Sequence, residues 1–154
     1  MGSYQLIDLV EATEWYVYLL SFDEYSPHAL LGVGEAVSNS AKWQFAVDMT
    51  LRCLVSGVWE FSVPDILDQL GLATIEEFCD RLSQLDPFGL TEEGEKYWLD
   101  SYMMGSSLSS EMVSRHLISA DGPIFSSGFF EGIDRLFSLS GMAWREGSLM
   151  VISP

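Results

Sequence analysis

The sequence predicts a mainly α-helical single domain spanning residues 1–154, a helical bundle around one central buried helix with a small C-terminal β-hairpin. Three observations carry that expectation. Apolar residues recur at intervals of three and four in several windows, which puts them on one face of a helix. One stretch, Ala41 to Trp59, is apolar in nearly every direction and so belongs inside the protein. Ser or Thr residues followed by acids stand where helices would begin. The chain has 154 residues, 48% of them hydrophobic and 13% aromatic, enough to build one core without metals or disulfides.

The first helix follows from Leu6, Leu9, Val10, Thr13, Val17 and Leu20, with Asp8, Glu11 and Glu14 nearer solvent. Trp15-Tyr16-Val17-Tyr18 is rich in strand-favouring residues, so an extended segment there is the competing reading. From Asp23 to Ser40, Pro27, Gly32, Gly34 and Ser38-Asn39-Ser40 predict a loop around one short helix.

In the central helix, Trp43, Phe45, Val47, Met49, Leu51, Leu54, Val55 and Val58 crowd out all but a few polar residues. Arg52 is then partly buried and should pair with Asp48, four residues earlier. Two short helices follow. Ser62-Val63-Pro64-Asp65 starts one that Gly71 ends, and Thr74 with Glu77 forms the capping box of the other. In that second helix Ile75, Phe78, Leu82 and Leu85 face inward, and Asp86-Pro87-Phe88-Gly89 closes it as a turn. Thr91 caps a helix through Trp98 and Tyr102, and Ser107 to Ile118 forms another. Ser127 to Leu139 carries Phe129, Phe130, Ile133, Leu136 and Phe137 on one face until Gly141 stops it. The tail is read as the hairpin, with Glu146-Gly147 as turn and Leu149-Met150-Val151-Ile152 as strand.

Charge narrows the choice of partner. Seven Lys and Arg against 23 Asp and Glu give a formal net charge of -16. Residues 1 to 41 carry six acids and no Lys or Arg, and residues 60 to 80 repeat the pattern. Nucleic acid would be repelled, because phosphate binding depends on Lys and Arg displacing counterions. A basic partner fits this surface, and solubility alone is the plainer explanation of the same acids.

Cys53 and Cys79 fall within apolar helical patterns, which suits reduced, buried thiols and a cytoplasmic home. The first basic residue is Lys42, so a secretory signal is not expected, and the apolar run Trp15 to Leu20 is too short to cross a bilayer.

Catalytic and cofactor motifs are missing from the sequence, so an enzyme, a metal and a cofactor are not expected. His28, His116, Cys53 and Cys79 are isolated, without the short spacings of a zinc site. His116 follows Leu108 and Met112 at steps of four, at the edge of an apolar face. None of the serines lies in a Gly-x-Ser-x-Gly elbow, and Gly32-Val33-Gly34 is a turn rather than a phosphate loop. Glu76-Glu77 and Glu92-Glu93 are adjacent residues that diverge by about 100 degrees on a helix, and acids in a first turn complement its dipole. The paired helices from Pro64 to Leu85, followed by Leu90-Thr91-Glu92-Glu93-Gly94, share the layout of a winged helix-turn-helix regulator. Glu76, Glu77 and Asp80 would nevertheless meet DNA phosphates with the wrong sign.

The stretch from Lys42 to Phe88 contains Trp43-Gln44-Phe45-Ala46-Val47-Asp48, Leu51-Arg52-Cys53-Leu54, Gly57-Val58-Trp59-Glu60 and Leu85-Asp86-Pro87-Phe88. In this texture it resembles small immunity proteins of bacterial polymorphic toxin systems, those of contact-dependent inhibition and Rhs-type toxins. The resemblance covers about a third of the chain and rests on no catalytic signature. It implies a protein that binds and neutralises a cognate toxin domain, often a basic nuclease, and so protects the producing cell. An acidic inhibitor would steer toward such a toxin, with a few anchors giving affinity and rim charges setting rate and selectivity. The candidate partner-binding residues are Asp65, Asp68, Glu76, Glu77 and Asp80, then Asp121, Glu131 and Asp134. The alternatives are an acidic regulator or nucleic-acid mimic that blocks the DNA or RNA site of a host protein, and an enzyme whose acids converge in a deep pocket with perturbed pKa values.

Overall fold

The computed structural model describes residues 7–119 and 121–154, and Leu6 of the first predicted helix lies outside them. In chain order the elements are α1 (Leu9–Leu20), a 3-10 turn (Pro27–Leu31), α2 (Asn39–Ser56), β1 (Trp59–Phe61), α3 (Ile66–Gln69), α4 (Ile75–Gln84), α5 (Glu92–Trp98), β2 (Met103–Gly105), α6 (Ser107–His116), β3 (Leu117–Ser119), β4 (Ile124–Phe125), α7 (Phe129–Ser138) and a last 3-10 turn (Trp144–Glu146). The architecture is mainly α, as the periodicity predicts, with two small antiparallel sheets.

The central helix is where the apolar stretch places it. Every residue of α2 from Trp43 to Leu54 is buried, and the helix packs against the Pro27–Leu31 turn, α4, β1 and α7. Ser38 caps its start, its side chain accepting from the Ala41 amide. Its end comes three residues earlier than the apolar run suggests. Gly57 adopts φ 83, a left-handed conformation that costs glycine little, and turns Trp59 into a strand.

Around α2 the remaining helices divide. α1, α6 and α7 pack on one another, whereas α4 packs on α5. Trp15-Tyr16-Val17-Tyr18 is helical, because Tyr16 and Val17 are buried on the same side as Thr13 and Leu20, and that 3.6-residue stripe outweighs strand propensity. The capping box of α4 is present in full: the Glu77 amide donates to Thr74 Oγ1 at 3.1 Å and Glu77 Oε1 accepts from the Thr74 amide at 3.0 Å. Burial of Phe78, Cys79 and Leu82 on its inner face supplies most of its stability. Both cysteines are free and buried, their thiols raised by loss of solvent.

Three helices end earlier than the sequence predicts, each where a short strand takes over, and α3 starts later, at Ile66, with Asp65 rather than Ser62 at its cap position. α5 stops at Trp98 instead of reaching Tyr102. The Ser101 hydroxyl turns back onto the Lys96 carbonyl at 2.6 Å, and the chain runs on as β2. β2 pairs with β1 in the register Trp59↔Gly105 and Phe61↔Met103, while Tyr25 and Met103 exchange both backbone hydrogen bonds on its other edge. α6 ends at His116, and Leu117–Ser119 pairs with Ile124–Phe125.

That β3–β4 pair is the small hairpin of the C-terminal third. Leu149 to Ile152 pairs with no strand among the described residues; it runs along α2, where Gln44 takes its backbone groups in place of a sheet.

Candidate functional site

Two places in the fold gather polar side chains. One is an outward acidic surface, the other a buried lock.

The lock is built on α2. Gln44, Asp48 and Arg52 stand four residues apart, on one stripe of the helix, and all three are buried. Gln44 holds the tail like a neighbouring strand would: Nε2 donates to the Met150 carbonyl and Oε1 accepts from the Ile152 amide, both at 3.0 Å. Asp48 accepts from the Ser148 hydroxyl at 2.9 Å and from Gln44 Nε2 at 3.2 Å. Arg52 donates to the carbonyls of Gly147 at 2.6 Å and Ala143 at 3.2 Å. The Asp48–Arg52 pair expected from spacing is present, with Oδ1 and Nη1 3.9 Å apart.

Burial dominates the electrostatics of this stripe. It pushes the Asp48 carboxyl up to about 7, against the opposing pull of Ser148, Arg52 and Leu149, and it lowers Arg52. Asp48 has no exposed surface, and its carboxyl contacts Ser148 of the tail as well as Gln44 and Arg52 of its own helix. What this arrangement does chemically is hold residues 143–152 against the core. Among the described residues no group of three or more His, Cys, Asp or Glu is placed to hold a metal ion.

The acidic surface lies on α3, α4 and α5. Asp65, Asp68, Glu76, Glu77 and Asp80 are all exposed, as the amphipathic pattern requires. Their roles differ. Glu77 is committed to the capping box, and its Oε1 also accepts from the Ala73 amide at 2.8 Å. Asp65 and Asp80 accept from Gln69 and Gln84, each one helical turn on. The side chains of Asp68 and Glu76 have no hydrogen bond or ion pair among the described residues. Arg81, which α4 carries toward its end, bridges to Glu93 on α5 at 3.5 Å, both side chains being well exposed.

The second set of acids lies elsewhere. Asp121 is exposed in the β3–β4 turn and Glu131 is exposed in the first turn of α7. Asp134 is half-buried, and its Oδ1 accepts from the Trp144 amide at 2.8 Å, so it fixes the start of the last 3-10 turn. α7 packs on α1, α2 and α6 and α4 on α2 and α5, so the fold does not unite the two sets.

Glu14, which the sequence places on the solvent side of the first helix and not among the candidate partner-binding acids, stands near Glu131 of this second set. Burial raises its carboxyl and Glu131 adds to the rise. His116 behaves as an edge residue: its Nδ1 lies 2.9 Å from Ser126 Oγ and its ring stacks on Phe129.

Comparison of the chain with protein-family models, curated proteins and solved structures gives no match.

Proposed function

We propose that the protein is an immunity protein of a bacterial polymorphic toxin system, which binds a cognate basic toxin domain and neutralises it. One observation carries the reading: Asp65, Asp68, Glu76 and Asp80 are exposed, without a cationic partner among the described residues, in a stretch that has no Lys or Arg between Arg52 and Arg81. A net charge of -16 opposes compactness, and a surface that keeps such a charge unneutralised is suited to meeting positive charge from outside. The texture of Lys42 to Phe88 described above supports the same class. Glu77 and Asp134 serve the fold, so recognition falls to the other acids.

The test is co-expression with the toxin domain encoded beside its gene. Rescue of growth together with co-purification of the two chains is the expected result. Failure of rescue, with capture of host nucleic-acid-binding proteins in its place, would favour an acidic regulator or nucleic-acid mimic.

A further inference from the structure

Beside the acidic surface the structure holds an apolar groove of about 440 Å³, walled by Leu54, Trp59, Phe61, Pro64, Leu67 and Ile75. These residues come from the end of α2, β1, the approach to α3, α3 itself and the start of α4. Glu60 also lines it, and Asp65, Asp68 and Glu76 directly follow Pro64, Leu67 and Ile75 in the chain; all four acids are exposed. Every wall residue lies between Arg52 and Arg81, a stretch that carries six acids and no Lys or Arg.

Two further observations bear on what enters it. Trp59 is 1% exposed, yet its indole Nε1 has no acceptor among the described residues, whereas the indoles of Trp43, Trp98 and Trp144 all have one. A buried donor left unpaired is costly, and an acceptor reaches it only when the wall around Trp59 opens. The second concerns β1. Backbone hydrogen bonds of Ser106 to Val58 and of Ser62 to Tyr102 place the paired positions at even numbers, so the amide and carbonyl of Phe61 face away from β2. No second strand pairs with β1 among the described residues.

We infer that this groove is the anchor site for a protein partner, and that its occupant is a segment presenting an apolar side chain between Lys or Arg residues. The apolar wall takes the anchor, the rim acids take the flanking cations, and the Phe61 edge offers hydrogen bonds to the segment's backbone. A second copy of this chain is the wrong occupant, because two molecules each of net charge -16 repel. The inference rests on the reading that the partner is basic and names the place where it is held.

The test uses isotope-labelled full-length protein titrated with a short synthetic peptide of alternating Lys and Leu, and with its Glu and Leu counterpart. The expected result is resonance shifts centred on the Trp59 indole and the amides of Phe61, Leu67 and Ile75, from the basic peptide alone. Leu67→Lys should weaken binding about tenfold or more. The double variant Asp68→Asn with Glu76→Gln, which alters exposed side chains and leaves the core intact, should weaken it about threefold and lessen its salt dependence. Shifts centred elsewhere, equal binding of the acidic peptide, self-association through the groove, or unchanged affinity in the double variant overturns the assignment. Wild-type capture of the toxin by both variants sinks the groove and spares the proposed function. No capture by the wild-type protein sinks the function, and the peptide map still decides the groove.

Discussion

The Arg52 guanidinium lies over the ring of Trp144, its carbon 4.2 Å from the ring centroid, while its nitrogens reach the carbonyls of Ala143 and Gly147. A fully buried cation is tolerated because the chain's last segment wraps it with dipoles, a π face and the Asp48 carboxylate. Replacing Arg52 with Met should remove those contacts and strand Asp48, a loss of about 3–5 kcal/mol. Arg52→Lys should recover less than half of this, since an ammonium cannot span two carbonyls and a ring. Urea unfolding midpoints check both.

Stability should depend on pH through Asp48. Its carboxyl is raised from 3.8 to about 7 by burial, so between these values the native state holds a proton that the unfolded chain releases. The contribution is present below about pH 4 and is lost as pH rises through about 7. Thermal melts from acid to neutral pH should show the wild type losing ground to Asp48→Asn as pH increases. Parallel curves for the two proteins would refute the assignment.

Two glycines make a paired prediction about packing. A Cβ at Gly105 would sit 3.0 Å from the Ser21 Cα and 3.1 Å from the Leu20 carbonyl oxygen, both rigid backbone atoms. At Gly132 the first obstacle is the terminal methyl of Met112, at 2.8 Å, which can swing away. Gly105→Ala should cost about 1–3 kcal/mol, and Gly132→Ala less, as read by unfolding midpoints.

Thr74→Ala should destabilise by about 1 kcal/mol, because it removes the acceptor for the Glu77 amide and frees the reciprocal bond. Its capture of a partner should be unchanged once corrected for folded fraction. That separates the capping role of Glu77 from any role in recognition.

Charge reversal at the exposed acids should act on rate. Asp65→Lys, Asp68→Lys and Glu76→Lys combined should slow association with a basic toxin by about tenfold at low salt. The difference from the wild type should shrink as salt is raised toward about 1 M, where the screening length falls to about 3 Å. Surface plasmon resonance at several salt concentrations measures it.

What could be read in advance followed the range of each interaction. The Asp48–Arg52 pair was legible because the partners are one helical turn apart, and the Thr74–Glu77 cap because it spans three residues. Gln44 looked like an ordinary polar residue in an apolar helix; its partner amide, Ile152, is 108 residues away and no local pattern marks it. The tail's apolar run from Leu149 to Ile152 suggested a strand, and its hydrogen bonds to α2 go to the Gln44 side chain instead. β1 and β2 were missed because three residues are too few to show a period of two. Among the candidate acids, exposure at Asp65, Asp68, Glu76 and Asp80 followed from the helix pattern. The bond from the Trp144 amide to Asp134 needed the fold. The groove was invisible for the same reason: helix end, strand and two later helices build it together.

The attachment of residues 143–152 to α2 also orders events in time. Helices such as α4 close over a few residues and need little loop entropy, whereas joining Gln44 to Ile152 closes a loop of about a hundred residues before any contact rewards it. During refolding the amides of Ile152 and Ser153 should therefore be among the last to gain protection from hydrogen exchange. Until they do, the Arg52 charge sits beneath an unfinished roof that water can enter.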